Sequence, residues 1–179
     1  RNDFRGKKLF LLLVLVTQMF APTALVVGIF REIVKFGLVD TYLALILIYA
    51  AFNMAFSIWI LSSFFRSIPK EIEEAAQIDG CSKFQAFRKV ALPLALPGIV
   101  TTAIFIFIAA WNEFVVAYTL ASQPAKQPFS VGLSLLTGYY EVKWNYLFAG
   151  SLIAIIPVVL LFIFIEKYLV SGLTAGSVK

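Results

Sequence analysis

Apolar residues in this chain run in long continuous blocks, without the alternation of a half-buried strand. Four blocks, residues 9–30, 41–65, 95–120 and 147–165, are long enough as helices, at about 1.5 Å per residue, to reach across roughly 30 Å of hydrocarbon. The pattern predicts an all-α polytopic membrane protein of four transmembrane helices, with residues 1–179 forming a single transmembrane domain. Polar residues gather in the connections 31–40, 66–94 and 121–146 and in the two tails.

Composition sharpens this. Hydrophobic residues make up 61% and charged residues 14%, with a mean hydropathy of +0.91, against about 45–50% and 25% in soluble domains. A soluble enzyme is excluded. With no His and a lone Cys81, the chain lacks the donors for a Cys/His metal site, a Ser-His-Asp triad or an internal disulfide. No catalytic or metal-ligating residue is expected.

The net charge of +5 is a topology signal and not a nucleic-acid footprint, because the cations flank apolar spans. Arg1, Arg5, Lys7, Lys8, Arg66, Lys70, Lys83, Arg88, Lys89, Lys167 and Lys179 fall on one side, and Arg31, Lys35, Lys126 and Lys143 on the other. Eleven against four predicts that both termini and the 66–94 loop are cytoplasmic. The 121–146 loop is then extracytoplasmic, with Tyr139, Tyr140, Trp144 and Tyr146 suited to an interfacial aromatic belt. The chain does not begin with Met, and its first residues are too polar for a signal peptide, so a lost N-terminal part is expected.

The 66–94 loop predicts a helical hairpin. Pro69 suits a first helical turn, and Glu71, Glu73 and Glu74 sit where the helix dipole is positive. Gly80 can take the positive φ that ends a helix, and Ser82 with Gln85 forms a capping-box pattern opening the next. Pro93 and Pro97 are expected to stop that second helix and start the third span. On physics alone such a hairpin could lie on lipid headgroups through Phe84 and Phe87, or dock on a partner.

The residues Glu74-Ala75-Ala76, then three residues, Gly80, nine residues, Val90, one residue, Leu92-Pro93 resemble the EAA motif of ABC importer permeases. The one departure is Val90 where the motif has Ile. Ala110-Trp111-Asn112-Glu113-Phe114 and Gly172-Leu173-Thr174-Ala175-Gly176 are similar to MalG-type permease subunits of carbohydrate importers. The resemblance implies the type I importer permease fold, usually of six spans, of which four are visible here. It implies a pore-forming subunit in a bacterial or archaeal cytoplasmic membrane, translocating a sugar or oligosaccharide by alternating access. The implied partners are a second permease, two ABC ATPase subunits and an extracytoplasmic solute-binding protein. ATP and Mg would be used by the ATPase, since this chain has no G-x-x-x-x-G-K-[ST] loop and would bind no cofactor. The hairpin would be the coupling element, with Glu74 facing a basic partner residue, Gly80 making the turn, and Ala75 and Ala76 permitting close helix approach.

Two neutral amides, Gln18 and Asn53, lie about 14 and 18 Å deep in the first and second spans. They either bond between helices or line a translocation path. Glu113, with Asn112, lies near the outer end of the third span, either shaping an outer gate or held in an interfacial hydrogen bond. Pro22 and Pro157 are expected to kink their helices. A secondary transporter would need charged or ion-coupling groups at midplane, where only Gln18 and Asn53 are found. A non-transporting assembly subunit would leave the EAA spacing unexplained.

Overall fold

The computed structural model describes residues 5–138 and 142–174, with side chains described as far as residue 164. The expected aromatic residues Tyr139 and Tyr140 lie outside the described residues, as do Arg1, Lys179, Ala175 and Gly176. The described chain is helical throughout, apart from one isolated antiparallel bridge between Thr137 and Val142.

The first apolar block is not one rod. Helix α1 (Lys7–Val16) runs on through a 3₁₀ turn (Thr17–Met19), and α2 (Pro22–Lys35) then leaves at 94°. Pro22 is the cause. A continuing helix would set its ring against the Gln18 carbonyl, and the residue before a proline is pushed out of the α region. Phe20 (ψ 118°) and Ala21 (ψ 130°) are accordingly extended, and Pro22 opens a new helix in place of the expected kink. Gly37, at φ 68°, closes α2 with the paired bonds of a Schellman motif, Gly37 N–H to the Val34 carbonyl and Leu38 N–H to Ile33.

Helix α3 (Tyr42–Ser67) is the long axis of the molecule, about 39 Å by its 26 residues. Thr41 caps it, its Oγ1 accepting from the Ala44 N–H at 3.2 Å. The hairpin follows as α4 (Lys70–Ile78) and α5 (Lys83–Ala86), with a π-helical turn (Phe87–Ala91) and α6 (Leu92–Leu94) extending the second arm. Pro93 does not stop this arm; it sits in the first turn of α6. The direction changes at Ala95, by 66°, where α7 (Leu96–Trp111) starts with Pro97 in its first turn.

The third block also breaks, at Asn112–Glu113–Phe114, before α8 (Val115–Leu120). A 3₁₀ turn (Pro124–Lys126) and α9 (Phe129–Ser134) fold over the end of the bundle. Helix α10 (Trp144–Thr174) carries Pro157 internally without interruption. Among the described residues, two helices are long and apolar enough to cross a membrane unbroken, Tyr42–Ser67 and Trp144–Phe164, and the total reaches four if each bent pair counts as one span.

The tightest core joins α2, α3, α8 and α9 at the Tyr42 end, through Ile33, Leu45, Ile48, Val116, Leu120 and Val131. Elsewhere apolar surface faces outward, as along α10, where Leu152 is 68% exposed. That is the pattern of lipid-facing helices, whose mutual packing relies on small residues. Gly98 on α7 meets α3 so closely that an added Cβ would lie 2.3 Å from Cγ and 2.7 Å from Cβ of Phe64. Gly98→Val should therefore push α7 off α3 at a cost of about 1–3 kcal/mol. A lowered unfolding temperature of the purified full-length protein in detergent checks this; an unchanged temperature would show that the α3–α7 contact is slack.

Candidate functional site

Two regions of the molecule carry the expected functional residues, one at the Ser67 end of α3 and one halfway along it. At the Ser67 end the hairpin turn is built as its local sequence directs. Gly80 has φ 90°, its N–H reaches the Gln77 carbonyl at 3.1 Å, and the Cys81 N–H reaches Ala76 at 3.0 Å, a second Schellman closure. The capping box is complete, with Ser82 N–H to Gln85 Oε1 at 2.9 Å and Gln85 N–H to Ser82 Oγ at 3.3 Å. Buried Ala86 and Ala91 and a Phe65–Phe87 stack, 5.9 Å between ring centroids, seat the second arm against α3.

The motif residues distribute across this hairpin. Glu74, Ala75, Gly80 and Pro93 are exposed, and Ala76, Val90 and Leu92 are half-buried. Around the turn, Ile78 is 86% and Phe84 70% exposed. An exposed apolar tip beside a carboxylate and two small residues is the kind of patch that marks a contact with another protein or with a membrane.

Halfway along α3, a cavity of ≈ 360 Å³ brings together Gln18, Asn53 and Asn112. Phe52, Phe56 and Phe105 complete much of its wall, with Phe56 and Phe105 edge to face at 5.8 Å. Gln18 Nε2 donates to the Phe52 carbonyl at 3.0 Å, so the first of these amides does bond between helices while lining the cavity. Asn53 Nδ2 donates to the Tyr49 carbonyl at 2.8 Å, and Asn112 Nδ2 to Ile108 at 2.9 Å. Each amide thus spends one N–H on the backbone and keeps its oxygen and a second N–H for other partners.

Glu113 is absent from the cavity wall. Its carboxylate accepts the Val116 and Ala117 N–H groups at 2.9 and 3.0 Å and the Tyr49 hydroxyl at 3.0 Å, while its own carbonyl accepts from Ser130 Oγ at 2.6 Å. It holds the start of α8 to α3 and so fixes the break that presents Asn112. Nearby, the Trp111 indole N–H donates to the Ala154 carbonyl at 3.1 Å, beside the Ile153 carbonyl that Pro157 leaves without its helical donor.

The contacts of Tyr49, Asp40 and the three phenylalanines escaped sequence reasoning. Asp40, at φ 57°, accepts the Ser122 and Gln123 N–H groups through Oδ1 at 2.6 and 2.9 Å, and its carbonyl accepts from Lys126 Nζ at 2.7 Å. The 31–40 and 121–146 connections are therefore clasped together at the Tyr42 end, opposite the hairpin. An isolated carboxylate between two apolar blocks was the only signal for it. Among the described residues no grouping of His, Cys, Asp and Glu could hold a metal ion.

Residues 2–174 match the family model of the binding-protein-dependent transport system inner membrane component. The chain belongs to this family, and an inner-membrane location follows from it. The full chain is 40% identical to the trehalose/maltose transport system permease protein MalG of Thermococcus litoralis and 39% identical to the trehalose transport system permease protein SugB of Mycobacterium tuberculosis. It is 34% identical to the diacetylchitobiose uptake system permease protein DasC of Streptomyces coelicolor. It spans 65%, 66% and 65% of the length of these three relatives.

The bonds of Glu113 make a test of its role. Glu113→Ala would leave two α8 N–H groups and a phenol without their acceptor, at about 1–3 kcal/mol for each that stays buried. Thermal unfolding of the full-length protein should drop further for Glu113→Ala than for Tyr49→Phe, which removes one bond. A variant that unfolds normally yet fails in uptake would instead assign Glu113 to a gate.

Proposed function

We propose that this chain forms part of the pore of an ATP-driven importer that carries a sugar or oligosaccharide across the cytoplasmic membrane by alternating access. Its partners in this reading are a second permease, a pair of ABC ATPase subunits that use ATP and Mg, and an extracytoplasmic solute-binding protein. This chain carries no hydrolytic step of its own. The hairpin and both ends of the chain face the cytoplasm, as the distribution of Lys and Arg supports.

The observation that carries the reading is the three-amide cavity midway along the same helix whose end bears the EAA hairpin. Uncharged hydroxyls are matched by groups that both donate and accept, and apolar sugar faces by aromatic rings. The cavity volume of ≈ 360 Å³ lies within the range of about 300–1,000 Å³ typical of small-ligand sites. Membership of a binding-protein-dependent family and relatives named for trehalose, maltose and diacetylchitobiose support the substrate class. On the hairpin, Glu74 makes a charge-assisted contact to a basic ATPase residue, and Ala75, Ala76, Gly80, Val90, Leu92 and Pro93 shape the fit. Gln18, Asn53 and Asn112 line the path, and Glu113 positions Asn112 at its outer side. A secondary transporter is disfavoured because the nearest carboxylate, Glu113, is committed to backbone and phenol.

Two measurements on the complete transporter, assembled with the full-length permease, test the two halves of this reading. Glu74→Lys should abolish uptake and uncouple it from ATP hydrolysis, while Glu71→Lys, which touches chiefly the helix dipole at about 0.3–1 kcal/mol, should have a small effect. Equal effects would remove the docking role. Asn53→Leu should raise the KM for uptake about threefold to tenfold, the worth of one neutral hydrogen bond, with the ATPase activity retained. Unaltered uptake would take the cavity off the path.

A further inference from the structure

A second and larger cavity, ≈ 790 Å³, opens at the hairpin end of the bundle between α1 and the start of α4. Among the described residues, Lys7, Lys8, Arg66 and Lys70 stand around it with one carboxylate, Glu71. The cations come from two distant parts of the chain, which the fold brings to one rim. Below them the wall is hydrocarbon. Leu11 and Leu15, one helical turn apart, and Leu12 line it from α1, and Ile68, only 8% exposed, lines it from the α3–α4 link.

A basic rim above an apolar wall, where helices leave the bilayer, matches one ligand chemistry: a phosphate diester carrying acyl chains. We propose that this cavity binds an anionic phospholipid, its phosphate among Lys8, Arg66 and Lys70 and one acyl chain along Leu11, Leu12 and Leu15. Three features separate this from general attraction of cations to a membrane. The cations converge on a concave site, their side chains include a guanidinium able to grip two phosphate oxygens, and leucines continue the site into the apolar layer. A free phosphate would satisfy the rim and leave the leucine wall unused. The lipid would also tie the foot of α1 to the root of the hairpin, so that hairpin position and lipid occupancy become linked. This inference does not depend on the identity of the transported solute.

Native mass spectrometry of the complete transporter, titrated with phosphatidylglycerol, provides the test. Lys8→Gln with Arg66→Gln should weaken phosphatidylglycerol binding about thirtyfold, and Lys8→Gln alone about fivefold, at roughly one cation's worth each. The pair Lys8→Arg with Arg66→Lys should retain binding, as should Arg31→Gln with Lys35→Gln, which removes as many charges at the other end of the bundle. Phosphatidylcholine should bind weakly to all of them. Equal losses from both Gln pairs would reduce the effect to overall charge and overturn the site. Stabilisation by glycerol 3-phosphate as strong as by the lipid would make it a free-phosphate site. Absence of retained lipid in the unmodified transporter would show the cavity filled by another part of the assembly.

Discussion

Hydrocarbon offers no partner to a backbone N–H or carbonyl, so every interruption of a helix in an apolar chain must be repaired from within the protein. This molecule interrupts its helices repeatedly, and side-chain hydrogen bonds at and beside the breaks organise it. Beside the Phe20–Ala21 break, the Gln18 side chain donates to the Phe52 carbonyl and ties the broken helix to α3. At the Asn112–Phe114 break, the Glu113 carboxylate takes the leading N–H groups of α8 and the Tyr49 hydroxyl. Near Pro157, the Trp111 indole donates to the Ala154 carbonyl, next to the Ile153 carbonyl that the proline leaves without its helical donor. Two of these bonds converge on α3 within one turn, at Tyr49 and Phe52. Gln18 and Asn112, each beside a break, line one cavity with Asn53 there, so the cavity lies where the two broken helices meet α3.

Helix α3 gives the molecule its polarity. Asp40 and the loop it clasps lie beside the Tyr42 end, the amide cavity lies halfway, and the hairpin is stacked on the far end through Phe65 and Phe87. Gly98 on α7 leaves room for the Phe64 ring of α3, which packs where a Cβ would otherwise stand. Because the second hairpin arm runs through a π-helical turn into α7 with only Ala95 as a joint, displacement of the hairpin bears on the helix that ends at Asn112. In the proposed importer, that is a short mechanical route from the ATPase-facing surface to the solute-facing one.

The hairpin turn was legible in the sequence because its determinants are local: a glycine needing positive φ, a capping pair three residues apart and acidic residues in a first turn. The prolines were not, since Pro69 caps the first arm from outside its first turn and Pro93 does not stop the second. The all-helical membrane architecture was equally legible from the apolar blocks. What failed was the continuity of those blocks. Pro22 was visible, but hydropathy cannot distinguish a kinked span from two helices at 94°, since both are equally apolar. The Asn112–Glu113 break carries neither Gly nor Pro. It exists because a carboxylate competes for backbone N–H groups, an effect that depends on Tyr49, sixty-four residues away, completing the carboxylate's bonds. The meeting of Gln18, Asn53 and Asn112 is likewise tertiary, and depth alone left their roles open.

The chemistry at midheight fits a transporter whose energy comes from outside its membrane domain. A charged group at the bilayer centre costs about 2.5–3.5 kcal/mol on insertion scales, a cost sustained where an ion or proton must be moved. Here the groups are neutral amides, and each already donates one N–H to a nearby carbonyl. A neutral solute meeting such amides gains hydrogen bonds worth about 0.5–1.5 kcal/mol each, enough to orient it and too little to trap it. Weak, multiple contacts suit a site that must accept a solute from one side and release it to the other within each cycle. In the proposed importer, tight capture would then fall to the solute-binding partner, and the work of release to the ATPase proposed to dock on the hairpin.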